Sequence, residues 1–366
     1  MAECIYFGKC GGCTSQHITY ELQLENKKKV LQKAVKIDDI KVFSGKEYGY
    51  RTRMDLVFCK EGLGFRKERE PTTVIAVEEC VIASAEINKL LAEVNSKFKD
   101  RDFFDFKNFT GTNKFAVIRT PPGDSSISFV LNQESVRLNE AVEQIKGFRS
   151  NANNVLVTYV PKGTNVGVSE EFAIIKGRDY LTETLLDKEF RYSIQGFFQN
   201  NHEMAEEMHR YVRKLLEDYP TKSATLLDLY SGVGTFGIIN SDLFKRVVMV
   251  ESYKRAVEFA KHNIQKNKVT NAEAVNLEAR QIGRLRFEKH NFVIADPPRS
   301  GMEQETITQL KRLEPEAIIY ISCNVGQLAK DIPKFKNYRV KSAALFDFFP
   351  QTNHSESVVE LVNKKE

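Results

Sequence analysis

The second half of the chain alternates short apolar runs with amphipathic stretches, and this rhythm constrains the fold more than any other feature. The pattern predicts strands at 225–229, 246–250, 272–276, 291–295 and 316–321, with a predicted helix in each connection. Such alternation indicates a parallel sheet with helices on both faces. Strands 339–347 and 356–362 follow with no helix between them. We therefore predict a doubly wound α/β sheet that ends in an antiparallel hairpin at one edge.

The first half has a different organisation. Between residues 48 and 194, short β-prone runs are separated by Gly, Pro, Asn and Asp turns, and helical stretches occur only near 83–99 and 134–146. This pattern predicts a mixed, mostly antiparallel α+β domain. Three domains follow from the pattern: 1–47 with a cysteine motif and a connecting helix, 48–194 as the central domain, and 195–366 as the sheet domain.

Composition narrows the class of protein. The net charge of +5 falls short of the strongly basic signature of a dedicated nucleic-acid binder, although local Lys and Arg clusters permit RNA binding. No run approaches the roughly 20 apolar residues that cross a bilayer, and the N-terminus lacks an apolar signal core. We expect a cytoplasmic, monomeric protein.

Cysteines cluster near the N-terminus. Cys4, Cys10 and Cys13 form a C-x5-C-x2-C pattern among glycines, which allow the backbone to curl so that three thiolates converge. In a reducing compartment such clusters indicate a metal more often than a disulfide. Cys80 is the best fourth ligand, whereas Cys59 ends an apolar strand and is expected in the core. The spacing favours an iron–sulfur cluster, with zinc or no metal as the alternatives.

A glycine-rich turn follows the first strand of the sheet domain, where ligands of such sheets bind. The turn runs from Asp228 to Thr235 and contains Gly232, and Glu251 ends the next strand, where a carboxylate can accept bonds from both hydroxyls of a ribose. The pattern indicates S-adenosylmethionine, with NAD as the competing ligand and a merely structural turn as the other alternative. We predict Asn276, at the end of the third strand, as a further cofactor contact.

Polar residues that could carry out a reaction stand at the ends of other predicted strands. Cys323 follows an apolar strand and is a candidate nucleophile, although a cysteine there can also be an inert core residue. Asp296 also ends a strand and could bond a ring N–H or, if protonated, support charge at a ring carbonyl. Glu356 is the candidate base, and His354 is the alternative.

These three groups suit carbon methylation of a pyrimidine. Uracil C5 is a poor nucleophile, and a thiolate that adds to C6 makes it enolate-like, so that it can take a methyl group before a base removes its proton. Phe197 precedes the first helix of the sheet domain and could stack on an extruded base. Gln199 could contact the methionine part of the donor, and Arg299 is predicted to contact the substrate. Core packing is the alternative for both Phe197 and Phe198.

Eight stretches carry a resemblance to a known family. They are the C-x5-C-G-G-C beginning, Tyr50-Arg51-Thr52-Arg53, Gly64-Phe65-Arg66, Cys80, Phe197-Phe198-Gln199, Asp296-Pro297-Pro298-Arg299, Ser322-Cys323-Asn324 and His354-Ser355-Glu356. Over nearly its whole length the chain resembles the RNA uracil-C5 methyltransferases that use S-adenosylmethionine, which include tRNA T-loop and 23S rRNA enzymes. Many members begin with a small RNA-binding barrel, whereas here the first cluster cysteine is residue 4, so we expect a form without that barrel.

The resemblance implies a class I methyltransferase sheet and assigns roles to matching residues. It makes Cys323 the nucleophile and Glu356 the base that removes the C5 proton. It implies that donor or substrate is contacted by Gln199, Tyr230, Glu251 and Asp296, and that a 4Fe-4S cluster is held by Cys4, Cys10, Cys13 and Cys80. The N-terminal pattern favours 23S rRNA as substrate, with a tRNA T-loop uridine second. The alternative from a different class is a non-catalytic iron–sulfur RNA-binding protein.

Overall fold

A computed structural model describes residues 3–99, 102–287 and 289–364. The chain divides into two compact units. The first unit comprises residues 1–19, 46–183 and 192–202, and the second comprises residues 20–45, 184–191 and 203–366. None of the described helices has the length and apolar character needed to cross a membrane.

The described residues form the following elements. The helices are α1 (Tyr20–Val35), α2 (Ala85–Phe98), α3 (Leu138–Lys146), α4 (His202–Glu217), α5 (Thr235–Ile239), α6 (Lys254–Lys266), α7 (Gln304–Leu313) and α8 (Val325–Asp331). The strands are β1 (Ile40–Phe43), β2 (Arg53–Cys59), β3 (Gly62–Lys67), β4 (Glu70–Ala76), β5 (Asn113–Arg119), β6 (Ser126–Asn132), β7 (Asn154–Val160), β8 (Phe172–Lys176), β9 (Tyr180–Leu185), β10 (Lys188–Ser193), β11 (Thr225–Leu229), β12 (Arg246–Glu251), β13 (Ala272–Asn276), β14 (Asn291–Ala295), β15 (Ala317–Ser322), β16 (Tyr338–Phe346) and β17 (Glu356–Asn363).

The first unit is built on a seven-stranded sheet in the order β4-β3-β2-β5-β6-β7-β8. Among the strands that the described residues form in this sheet, only β6 and β7 pair in parallel, and α3 lies in the connection that a parallel pair requires. Apolar residues of α2, including Leu91 and Val94, pack with Leu56, Phe58 and Phe129 of the sheet. The mixed, mostly antiparallel character predicted for this part of the chain is confirmed.

The second unit is built on an eight-stranded sheet in the order β1-β16-β17-β15-β14-β11-β12-β13. All neighbours pair in parallel except β17, which is antiparallel to both β15 and β16. The strand order reverses at β11, so the carboxyl ends of β11 and β14 flank the switch point where ligands of such sheets bind. The predicted doubly wound α/β sheet is confirmed.

The sequence pattern does not predict three of the strands, and one of these, β1, changes the expected order of the sheet. The expected hairpin β16–β17 exists, but it is not at the edge, because β1 pairs outside β16. The ring of Phe43 in β1 stacks on Phe346 of β16 at 4.5 Å, which fixes this pairing. The other two missed strands are β3 and β10. The predicted division into segments 1–47, 48–194 and 195–366 stays a prediction, although α1 and β1 belong to the second unit.

Candidate active site

The turn between β11 and α5 has backbone conformations that favour glycine. Gly232 and Gly234 have φ angles of +54° and +88°. A Cβ atom on Gly234 would lie 2.7 Å from Met249 Sδ, whereas no atom would lie within 4 Å of a Cβ on Gly232. Tyr230 also has a positive φ of 58°, and its hydroxyl donates to Glu303 at 2.7 Å. The turn thus packs tightly on β12 on one side and leaves open space beside Gly232.

The ends of β12 and β13 lie next to this turn. The Glu251 carboxylate accepts bonds from the backbone N–H groups of Gly232 (3.0 Å) and Tyr253 (2.7 Å). Asn276 pairs with Glu251 across the strands, and its side-chain nitrogen donates to the carbonyls of Glu251 (3.1 Å) and Ser252 (2.7 Å). The structure therefore brings together the turn, Glu251 and Asn276, and their contacts with a cofactor stay predictions.

Two acidic residues flank the switch point. Asp228 is buried in β11 and its Oδ2 accepts the Gly237 N–H at 2.8 Å. Burial, together with the negative charges of Asp296 and Glu251, raises its pKa to about 8. Asp296 comes directly after β14, whose last residue Ala295 pairs with Leu229. Its side chain is half-buried, and this burial raises its pKa to about 7. Both acids are therefore partly protonated at neutral pH. The burial of Asp228 leaves no signal in the sequence, so its raised pKa could not be predicted.

Cys323 and Glu356 come together through the pairing of β15 with β17. Ser322 pairs with Ser357, so the next residue on each strand, Cys323 and Glu356, extend the same register. Burial raises the pKa of the Cys323 thiol to about 11, and the charges of Glu356 and Asp296 add to this effect. Burial, followed by the charge of Asp296, raises the pKa of Glu356 well above its ordinary value. The thiol and the two carboxyl groups are thus close enough to interact, as the sequence predicted, and their roles stay predictions.

Arg299 and His354 lie at the exposed side of this cluster. The Asn324 side chain donates to the Arg299 carbonyl at 3.0 Å and accepts the Gln327 N–H at 3.2 Å, so it caps α8 while holding the loop after β14. Arg299 Nη2 lies 3.3 Å from His354 Nδ1. Because a guanidinium has only donors, Nδ1 must be the acceptor, and its lone pair is engaged. This contact favours Glu356 over His354 as the base.

A buried carboxylate that no sequence motif indicates supports the loop that carries Arg299. Asp331 is fully buried and accepts bonds from the Tyr320 hydroxyl (2.7 Å), the Met302 N–H (3.3 Å) and Lys334 Nζ (2.7 Å). Gly301 has a φ of +78°, and a Cβ there would overlap Asp331. The partners of Asp331 come from β15, from the loop after β14 and from the turn after α8, and only the fold brings them together.

Cys4, Cys10, Cys13 and Cys80 line one cavity of about 370 Å³ in the first unit. All four are free thiols. Burial raises the pKa of Cys10 to about 11 and of Cys13 to about 12, and the neighbouring cysteines contribute to both shifts. Among the described residues, no three His, Cys, Asp or Glu side chains form a ready-made ion site. Cys59 is buried in β2, as expected of a core residue.

Phe197 and Gln199 lie on a loop of the first unit, residues 196–200. Phe198 is buried and its ring stacks on Tyr192 at 4.1 Å, whereas 70% of Phe197 is exposed. The loop is held at both ends: Arg119 donates to the Gly196 carbonyl at 2.5 Å, and the Thr52 N–H donates to the Asn200 carbonyl at 2.8 Å. Phe198 is therefore a core residue, as the alternative interpretation predicted, whereas Phe197 is not.

Comparison with known proteins identifies the family. The family model described as tRNA (uracil-5-)-methyltransferase matches residues 19–364. The chain belongs to this family. It is an RNA (uracil-C5)-methyltransferase with the class I methyltransferase fold.

Relatives of this methyltransferase occur in bacteria and archaea. An RNA methyltransferase of Caldanaerobacter subterraneus is 34% identical, over 97% of this chain and 83% of that protein. The tRNA (uracil(54)-C(5))-methyltransferase of Pyrococcus abyssi is 30% identical, over 98% of this chain and 85% of that protein. The crystal structure of the Pyrococcus abyssi enzyme in complex with S-adenosyl-L-homocysteine matches with a TM-score of 0.80 and 27% identity, over 96% of this chain and 86% of that one.

Proposed function

We propose that this methyltransferase transfers the methyl group of S-adenosylmethionine to C5 of a uridine in structured RNA through a covalent adduct with Cys323. The position of Cys323 beside Glu356, where β15 and β17 pair, carries the proposal. A nucleophile and a base on adjacent strands can act on two neighbouring ring carbons, which is what addition at C6 and proton removal at C5 require.

The proposed reaction has three steps. The Cys323 thiolate adds to C6, and the ring electrons move towards C5 and O4. C5 then attacks the sulfonium methyl, and S-adenosylhomocysteine leaves. Finally Glu356 takes the C5 proton, the electron pair of that C–H bond forms the C5–C6 double bond, and the C6–S bond breaks to return the thiolate. Asp296, with a pKa near 7, can donate to the ring while charge develops.

The donor itself helps to ionise these groups. Cys323 is protonated at neutral pH when the site holds no cation, because burial raises its pKa to about 11. The positive sulfonium favours the ionised forms of the thiol and of the carboxyl groups, and Arg299 acts in the same direction on Cys323 and Glu356. We assign Tyr230, Gly232, Glu251 and Asn276 to donor binding, because they lie in the glycine turn or at the ends of β12 and β13 next to it. We also assign Gln199 to donor binding.

We infer that tRNA is the first substrate to test. The Pyrococcus abyssi relative is named for uridine 54 of tRNA, and a Pyrococcus horikoshii relative with the same name is also 30% identical. The sequence pattern instead favours 23S rRNA, which finds no support in these names and remains the second candidate. We propose that Phe197 stacks on an unpaired base, because an aromatic ring held exposed on an anchored loop suits stacking.

We also propose that Cys4, Cys10, Cys13 and Cys80 hold a 4Fe-4S cluster. Four free thiols around one cavity are the donor set that such clusters use, and ligands on different iron atoms stand farther apart than ligands of one ion. The cluster would hold the N-terminal segment to the sheet. Cys10→Ser should remove the brown iron–sulfur absorbance of the purified protein and lower the unfolding temperature, and Cys59→Ser should keep the absorbance. An unchanged spectrum in Cys10→Ser would contradict the assignment.

One experiment tests the reaction and identifies the RNA. Glu356→Gln keeps the shape of the base but cannot accept the proton, so the methylated adduct should accumulate on incubation with total RNA and S-adenosylmethionine. Its RNA can be recovered from denaturing gels and sequenced to give the molecule and the uridine. Cys323→Ala should give no adduct and no product, while RNA binding persists.

The results separate the candidate functions. Adduct on a T-loop uridine supports tRNA, and adduct on 23S rRNA supports the second candidate. Methylation that survives Cys323→Ala would refute the thiol mechanism. RNA binding by the wild type without methylation of any RNA would favour the non-catalytic RNA-binding alternative.

A further inference from the structure

The buried face of α1 has an unusual composition. Its buried residues are Gln23, Lys27, Leu31 and Val35, which are spaced by four and therefore share one face of the helix. The second half of this face is apolar, as expected of a helix that packs on a sheet. The first half is polar, although Gln23 and Lys27 are only 2% and 7% exposed. Buried polar groups weaken packing unless they are paired, so their partners indicate what this half of the helix does.

Lys27 binds the segment that precedes Glu356. We call residues 347–355, which connect β16 to β17, the base loop. Lys27 Nζ lies 2.7 Å from Asp347 Oδ1, and both side chains are buried. The same ammonium group donates to the Phe349 carbonyl at 3.2 Å. One buried cation thus joins the first and third residues of the base loop.

Gln23 binds the middle of the base loop through both ends of its amide. Its nitrogen donates to the Gln351 side-chain oxygen at 3.0 Å, and its oxygen accepts the Gln351 N–H at 3.0 Å. Gln351 is 1% exposed and has a φ of +68°, a conformation that non-glycine residues rarely adopt. The pair of bonds therefore holds the loop in a bend that it would not favour by itself.

The bend leads directly to the base. The Thr352 hydroxyl donates to the Phe349 carbonyl at 2.8 Å and accepts the His354 N–H at 3.2 Å. Glu356 follows two residues later as the first residue of β17. A continuous series of hydrogen bonds thus runs from α1 through the base loop to His354, two residues before Glu356.

We propose that Gln23 and Lys27 are positioning residues for the Glu356 base, acting through the base loop. The proposal rests on the proposed function, since it concerns the step that Glu356 performs. A buried polar contact seldom stabilises a fold more than apolar residues of the same size, whereas it can fix one geometry. Fixed geometry matters here, because Glu356 must meet a C5 proton whose position the Cys323–C6 bond sets.

The proposal predicts that one step of the reaction, removal of the C5 proton, becomes slower when these contacts are lost. Loosening the base loop should slow removal of the C5 proton and leave methyl transfer nearly unchanged, because addition by Cys323 and attack on the methyl group do not use Glu356. A displacement of about 1 Å can slow a step on the order of 100-fold. The methylated adduct should therefore accumulate during turnover, in a smaller amount than in Glu356→Gln.

Two variants of different design test this. The double variant Lys27→Met, Asp347→Leu removes the ion pair without leaving a buried charge unpaired. Gln23→Ala removes both bonds to Gln351 and keeps all charges, so it carries the test if the double variant does not fold. Lys29→Met on the exposed face of α1 is the matched control, since Lys29 pairs only with Glu25 of the same helix among the ion pairs formed by the described residues.

The fraction of enzyme held as adduct at steady state is measured on denaturing gels, alongside the unfolding temperature and kcat. A raised adduct fraction in Gln23→Ala or in the double variant, absent in Lys29→Met, supports the proposal. A lowered unfolding temperature with the wild-type adduct fraction overturns it and leaves the contacts a purely structural role. If Glu356→Gln itself gives no adduct, the proposed reaction fails before this inference is tested.

Discussion

Burial raises the pKa of three acids in the second unit, Asp228, Asp296 and Glu356. A site that binds a sulfonium would ordinarily be expected to present ionised carboxylates. The protein instead favours their protonated forms, so binding of the proposed donor beside them would be coupled to their ionisation. The same raised pKa values make the stability of the protein depend on pH.

Asp228 gives the clearest test at this scale. Its pKa rises from 3.8 to about 8 on folding, so the folded state holds the proton more firmly than the unfolded chain. Stability should therefore fall as pH rises between these values, by an amount on the order of a few kcal/mol. Asp228→Asn keeps an acceptor for the Gly237 N–H and should remove most of this loss, so its advantage in unfolding temperature should be larger at pH ~8.5 than at ~5.5.

Asp242→Asn is the control for this prediction. Asp242 pairs with Arg213 near the surface, and that pair lowers its pKa. It is therefore ionised over the whole range, and its replacement should change the unfolding temperature equally at both pH values. An equal effect of Asp228→Asn at both values would show that Asp228 does not titrate in this window.

At the scale of elements, the glycine turn combines two requirements that single substitutions can separate. Gly232→Ala should lower the free energy of unfolding by ~1–2 kcal/mol, the cost of a side chain at positive φ in open space. Gly234→Ala has that cost and also drives its Cβ against Met249 in β12, which should add ~1–3 kcal/mol. Urea unfolding of both variants measures the difference, and equal losses would mean that β12 moves aside.

The missed strands show where sequence patterns fail for elements. β3 contains Gly62 and Gly64, residues that disfavour strands, so no β-prone run is visible. Gly64 is nonetheless required in the strand, because a Cβ there would overlap the Ile75 carbonyl of β4. β1 is only four residues long, and its pairing partner β16 lies some 300 residues later, a separation across which local patterns say nothing.

For the whole molecule, the sequence was sufficient to predict which candidate site residues at strand ends lie close together. Cys323 and Asp296 follow strands that pair in parallel, so they lie at the same edge of the sheet. Glu356 begins the closing strand, which reaches that edge because it runs antiparallel to β15. The contacts of Lys27 with Asp347 and of Asp331 with Met302 could not be predicted in this way. Both depend on the packing of buried polar groups, which leave no periodic signal in the sequence.

The place of β17 in the sheet sets an order of events during protein synthesis. The ribosome makes β1, β15 and β16 before β17, yet β17 lies between β15 and β16 in the sheet. The eight-stranded sheet can therefore be completed only after β17 has been made, and the same pairing brings Glu356 level with Cys323. Closure of the sheet and assembly of this pair of residues are thus one event.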